Sequence, residues 1–555
     1  MAPRRLYALF GILATLVGMA VGHLVAALTS PDSSPVLAVG SAVIRMTPTP
    51  VKEWAIRTFE SDGFSILFID FPAQNYDKVV LVGSVFIGVI VLAALAGVLA
   101  RSSFRLGAGA LVALVVVALV LTLTAPSPSA LDVVPAILTA VAGVAALWVL
   151  DRTARGLPLD PRAVSTAERA KAEAREGSGD AADDTAEPAS GPRSASRRGV
   201  LIASGATLAV AAVVGGLGRF IGNLRTRAED VVLPQPASGE AAAALPKDLS
   251  STYDISPLRV PNADFYRVDT RLDTPVVDSG SWTLTVDGDV ENELEISFEE
   301  LLAMPMVERD ITLTCVSNSV GGKYVGGARW LGVPLNDVLE MAGVGTTADQ
   351  ILSTDFDGMT ISTPLSVATD GRDALIAVGM NGEPLPRAHG FPVRLVIPGL
   401  YGFVGSTKWV TRLTLTTYAE QQAYWTERDW ATDAPIKPSA RIDTPRALEQ
   451  VSAGSKGADP GAIVVGGVAW AQNDGGVSKV QVQVDGGPWT DAETGPDVGD
   501  VYWRQWFLQV DGLESGQHQA KARVVDGDGD VQTDVRAQPF PEGSSGIHTV
   551  IFTVG

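Results

Sequence analysis

Hydrophobic positions in this 555-residue chain follow two patterns. Up to about residue 225 they run in long blocks, and further on they alternate with polar residues or recur at helical spacing. Apolar runs at 6–28, 79–100, 106–124 and 131–150 each approach the roughly 20 residues that carry a helix across a bilayer. They predict a four-helix transmembrane region over 1–150. Arg4 and Arg5 precede the first run, Arg101 and Arg105 lie between the second and third, and Arg152 and Arg155 follow the fourth. The positive-inside rule then places the N-terminus and residue 151 in the cytoplasm and residues 29–78 outside, with a short interfacial helix around Lys52-Glu53-Trp54.

Residues 151–198 are rich in Ala, Glu, Asp, Ser and Gly and carry too little apolar surface to offset chain entropy. They predict a disordered cytoplasmic linker, with a helical start at 163–176. Arg197-Arg198-Gly199 then leads into a Gly/Ala-diluted apolar stretch, and 199–225 reads as a fifth transmembrane helix. The arginine pair is compatible with a twin-arginine export signal placed inside the chain and with an ordinary positive-inside flank. No small-residue cleavage site precedes Arg225, so the segment stays as an anchor and the remainder lies outside the cytoplasm.

After a polar tether at 226–252, the pattern changes to that of a folded mixed α+β domain over 253–439. Trp282-Thr-Leu-Thr-Val-Asp-Gly-Asp-Val alternates as a half-buried strand entering a hairpin, and Ser297-Phe-Glu-Glu opens a short helix with a capping box. Strand-like runs at 311–315, 393–397 and 409–416 flank a helical segment at 334–342. From 440 to 555, short alternating runs separated by turns such as Asp485-Gly-Gly-Pro predict an immunoglobulin-like β-sandwich.

Composition narrows the function. A mean hydropathy of +0.21 alongside 19% charged residues fits a membrane protein with a large polar part. Sixty-two acidic against 42 basic residues give a net charge of −20, which opposes a nucleic-acid role. The lone cysteine, Cys315, excludes an intrachain disulfide and a Cys-ligated iron–sulfur cluster. There is no Cys-x-x-Cys-His, and of four histidines only His23 lies in a span, so an internal haem lacks its axial ligands.

Two segments could carry chemistry. Cys315 ends an alternating strand in Thr314-Cys-Val-Ser-Asn and opens a glycine-containing loop. A lone cysteine is most often a small buried hydrophobe, but a loop thiolate can also ligate a metal or attack an electrophile. In Met380-Asn-Gly-Glu-Pro-Leu-Pro-Arg-Ala-His-Gly-Phe-Pro-Val-Arg, tight turns present Arg387, His389 and Arg394, and Lys408 follows. Such donors suit a phosphate-bearing ligand and equally a solvated, turn-rich surface.

The pair of motifs, spaced about 65 residues apart, resembles the molybdopterin domain of the sulfite oxidase family, with 440–555 similar to that family's dimerisation domain and the N-terminus to its membrane-anchored bacterial branch. The resemblance implies a molybdenum–molybdopterin cofactor ligated by Cys315, with His389, Arg394, Ser406, Lys408 and Asp357 holding the pterin or its phosphate and Arg267 near the substrate. It implies oxygen-atom transfer on a small oxyanion or S-oxide, a separate cytochrome or quinone-linked electron carrier, and a homodimer formed through 440–555. Cofactor loading in the cytoplasm favours a twin-arginine signal, which exports folded protein. Two departures bear on substrate. Ser319 and Val320 stand where sulfite oxidases carry arginines, and Trp430 takes the active-site tyrosine's place, with Tyr424 and Tyr401 as imperfect substitutes. The alternatives are an S-oxide or N-oxide reductase of the same fold and a non-enzymatic membrane-tethered scaffold with a degenerate cofactor site.

Overall fold

The computed structural model describes residues 3–29, 33–47, 51, 64–66, 69–71, 76–124, 130–157, 159, 197–225, 231–272 and 274–555. The sequence readings on Lys52-Glu53-Trp54, on nearly all of the 151–198 linker and on 226–230 lie outside these residues. The chain divides into a helical unit, 1–227 with 270–276, and a second unit, 228–269 with 277–555.

The first unit holds helices α1 (Arg4–Leu28), α2 (Pro35–Met46), α3 (Tyr76–Ser102), α4 (Phe104–Leu123), α5 (Val133–Arg155) and α6 (Arg197–Arg225), with a short antiparallel pair of strands, β1 (Phe64–Ile66) and β2 (Ile69–Phe71). Five of the helices, all but α2, are long and apolar enough to cross a membrane. α2 was not expected, because its 12 residues fall below the length of a span. α1 packs against α3, α5 and α6. Small residues allow this approach: a Cβ on Gly97 would lie 2.0 Å from the Tyr7 carbonyl oxygen. At one end of the bundle Asp151 accepts from Tyr7 Oη and Arg155 Nε, both at 2.7 Å.

The second unit begins with the segment expected as a polar tether, of which 237–251 hydrogen-bonds to the folded body. Ala237 N–H donates to the Met306 carbonyl at 2.8 Å, Glu240 pairs with Arg309 at 2.7 Å, and Leu249 N–H donates to Gln505 at 2.9 Å. Two five-stranded sheets follow. One orders β4 (Leu294–Ser297), β3 (Thr283–Gly288), β12 (Val410–Thr416), β7 (Gln350–Asp355) and β8 (Thr360–Pro364), with β12 parallel to β3. The other joins β10 (Glu383–Pro384), β9 (Leu375–Met380), β6 (Val325–Pro334) and β5 (Val307–Thr314), with β11 (Arg394–Val396) also on β9. The expected hairpin pairs Val286 with Leu294, but Asp287-Gly288 ends the first strand and a five-residue loop makes the turn. Helix α7 (Phe298–Ala303) carries the full capping box between Ser297 and Glu300, and α8 (Leu335–Ala342) buries Leu335, Val338, Leu339 and Ala342 at helical spacing.

The C-terminal region holds a second, smaller core lined by Ile463, Val465, Val480, Trp506, Val524 and Phe552. Its two sheets order β13 (Ser439–Thr444), β15 (Ala462–Trp470), β19 (Arg504–Asp511), β18 (Glu493–Thr494), and β14 (Gln450–Val451), β21 (His548–Val554), β20 (Gly516–Asp526), β16 (Val477–Val484), β17 (Thr490–Asp491).

Candidate cofactor and substrate site

Cys315 is the first residue beyond β5, half-buried at the mouth of a tight loop. Its N–H donates to the Tyr324 carbonyl at 2.9 Å and its own carbonyl accepts from Asn318 at 3.0 Å. Asn318 Oδ1 accepts from Tyr324 N–H at 2.9 Å, so the loop is closed across its neck. Sγ lies 3.0 Å from Ser317 Oγ, a hydroxyl able to donate to a thiolate.

Five of the other six residues singled out from the sequence share one neighbourhood. Arg394 opens β11 and is buried; its Nε and Nη2 reach Ser406 Oγ at 3.0 and 2.8 Å, and Nη1 donates to the His389 carbonyl at 3.3 Å. Lys408 Nζ donates to Asp269 Oδ2 at 2.6 Å, and Arg267 Nε donates to the same oxygen at 2.7 Å. His389 Nε2–H donates to the Asn262 carbonyl at 3.0 Å. A bridge between Arg394 and Lys408 laces the two motif segments together. Asp357 sits in the turn after β7, where its N–H donates to Asp355 at 2.8 Å; adjacent Phe356 N–H donates to the Trp409 carbonyl at 3.0 Å, so this turn abuts the Lys408 segment.

Burial sets the protonation states. It pushes Arg394 down to about 10 and Lys408 down to about 8, with Asp269 opposing the fall for the lysine. His389 is driven to about 4 by burial and by Arg394, so its imidazole is neutral near pH 7. Arg267 and Lys408 thus share one carboxylate, Asp269, while Arg394 turns its guanidinium to Ser406 and the His389 carbonyl. Buried cations are costly without negative charge or acceptors beside them, so Arg394 and Lys408 favour an anionic partner. A phosphate monoester carries negative charge and the acceptor oxygens to match.

The cation cluster and the cysteine meet through an aromatic wall that the sequence reading missed. The Tyr266 phenol is held well above its ordinary range, first by burial and then by the charge of Cys315, with Arg394 opposing. Tyr266 stacks on Phe265 at 5.1 Å and leans on Tyr324 at 6.3 Å, while Phe265 meets His389 edge-on at 5.5 Å. Tyr401 is raised to about 12, mainly by burial and also by Cys315. Tyr401 is one of the three aromatic residues weighed from sequence, and its phenol is coupled to Cys315. Trp430 packs among Phe403, Trp425 and Phe540, and the Arg428 guanidinium lies 3.6 Å over the Tyr424 ring. Ser319 is exposed and Val320 half-buried, and neither adds charge to the mouth.

Residues 271–425 match the family described as oxidoreductase molybdopterin binding domain. Mitochondrial sulfite oxidase of Rattus norvegicus is 31% identical over 290 residues, covering 45% of this chain and 52% of that protein. The Homo sapiens enzyme is 30% identical over 323 residues, covering 50% and 58%. The chain therefore spans about half the length of the curated relatives it matches. Among solved structures, the sulfane dehydrogenase SoxCD from Paracoccus pantotrophus aligns over 54% of this chain and 83% of that one, at 23% identity with a TM-score of 0.45.

Proposed function

We propose that the protein is a molybdopterin-dependent oxidoreductase of the sulfite oxidase family, a membrane-anchored enzyme that transfers an oxygen atom to or from a small oxyanion or S-oxide outside the cytoplasm. The observation that carries this reading is the gathering of Arg267, Arg394 and Lys408 around Asp269 and Ser406, beside Tyr266, whose ring leans on Tyr324 of the Cys315 loop. The residues fit the cofactor: Arg394, Ser406 and Lys408 would hold its phosphate, neutral His389 and the Asp357 turn would flank the pterin, and Cys315 would ligate molybdenum. When bound, the cofactor supplies two-electron redox chemistry and an exchangeable oxygen.

The chain's own residues would then bind and orient. Arg267 would offer paired donors to an anionic substrate, Tyr401 and Tyr266 would offer neutral phenols beside the metal, and the aromatic wall would exclude water. A separate carrier would take or deliver the electrons, and α6 with Arg197 and Arg198 at its start would be both anchor and twin-arginine signal. The C-terminal sheets would form the family's immunoglobulin-like dimerisation module. The neutral Ser319 and Val320 favour one second reading, reduction of an uncharged S-oxide, because a dianion loses two cationic partners there.

Metal analysis of protein from cofactor-replete cells, followed by dye-coupled assays with sulfite, methionine sulfoxide and small N-oxides, tests both readings. Near one molybdenum per chain and turnover of one of these compounds is expected. Protein free of molybdenum would instead favour a scaffold.

A further inference from the structure

The Cys315 loop is held by residues of the C-terminal region, far along the chain. Ser544 Oγ donates to the Asn318 carbonyl at 2.6 Å, and Arg441, whose Nε pairs with Asp443 at 2.6 Å, donates from Nη1 to the Gly322 carbonyl at 3.0 Å. Between these two contacts, at Gly321, the loop comes against His548. Gly321 adopts φ +81°, and a Cβ there would lie 2.2 Å from His548 Nε2, so the imidazole fills the space where any other residue would put its side chain.

The ring is fixed in turn. His548 Nδ1 accepts from Ile442 N–H at 3.0 Å, which leaves the proton of a neutral imidazole on Nε2, facing the loop. Ile442 belongs to β13 and His548 opens β21, strands of different sheets, so one hydrogen bond ties both C-terminal sheets beneath the cysteine loop. Gly543, next to Ser544, presses on the Tyr401 ring, where a Cβ would come within 2.5 Å.

We propose that His548 and Ser544 are positioning residues for the Cys315 site: the C-terminal region sets the loop conformation that aims the thiol, and so takes part in the redox centre. The inference rests on the reading of Cys315 as the metal ligand, and the test separates the two. In the full-length protein in detergent, His548→Ala should raise amide hydrogen exchange over 316–323 at least about tenfold, shift the electron paramagnetic signature of the half-reduced metal and lower kcat more than it raises KM. Molybdenum content should stay at the wild-type level. His548→Asn, whose Oδ1 can accept from Ile442, should restore all three readouts. Should His548→Ala fail to fold, Ser544→Ala deletes only one hydroxyl and should show the same changes in weaker form. Exchange and signature unchanged in both variants would overturn the proposal. A wild-type protein without molybdenum would instead overturn Cys315 as ligand, and exchange alone would then decide whether the loop is held.

Discussion

Mild acid should loosen the second unit because two histidines, His389 buried and His548 half-buried, must gain protons. Burial, with Arg394 beside one and Arg441 beside the other, holds His389 and His548 each near 4. An unfolded chain returns both to about 6.5. Since the folded values are depressed, the unfolded state binds more protons. Stability is complete above the unfolded value and is lost as pH falls from about 6.5 toward 4. At roughly 1.36 kcal/mol per unit, the full transition is worth about 3 kcal/mol per residue, and by pH 5 about 2 kcal/mol of it has gone, or roughly 4 for the pair. That corresponds to a fall of about 10 °C in Tm for a unit of this size. Carboxylates with lowered values, such as Asp248 and Asp370, act below this window. His518, raised by its hydrogen bond to exposed Asp485, works in the opposite direction, contributing stability at low pH that is lost as pH rises. Thermal unfolding of the full-length protein in detergent at pH 7.5 and 5.0 measures the difference. His548→Asn, which cannot titrate, should lose about half as much as the wild type. A Tm independent of pH over this interval, or an equal fall in wild type and variant, would refute the reasoning.

Four further outcomes are expected. Cys315→Ser should leave the protein folded but below about a tenth of wild-type turnover, since a hydroxyl is a harder, poorer ligand than a thiolate; higher activity with molybdenum bound would remove Cys315 as ligand. Asp269→Asn should cost about 3–5 kcal/mol in cofactor-free protein, where two cations lose their carboxylate, and clearly less once a phosphate is bound, as melting in both states would show. Arg267→Gln should raise KM for an anionic substrate by a factor equivalent to about 2–5 kcal/mol and leave a neutral S-oxide little affected, whereas loss of molybdenum would assign Arg267 to the cofactor instead. Arg197→Lys with Arg198→Lys keeps the charge, so protease protection of the second unit in spheroplasts is expected only if a receptor reads the arginine pair.

Which features were legible in the sequence follows from how local their causes are. Apolar runs announced the five long helices because length and composition alone decide whether a helix can span. The capping box at Ser297 was legible because its partners lie three residues apart. α2 was overlooked since 12 residues are too few to register as a span, and the docked segment 237–251 looked like a tether because its partners, Met306, Arg309 and Gln505, lie far along the chain. The same holds at the site. Cys315, His389, Arg394, Ser406 and Lys408 stand in runs whose residue types and spacing carry the resemblance, but Asp269 does not. In sequence it is an unremarked aspartate two residues from Arg267, and its meaning depends on Lys408, 139 residues away. Tyr266 was hidden for a related reason. Beside Arg267 it reads as one more aromatic residue, and only folding stacks its ring on Phe265 and leans it on Tyr324 of the Cys315 loop. What escaped the sequence was thus the compensation around the motif residues, because a buried charge is balanced by whichever group the fold brings within reach, and residue spacing records nothing of that.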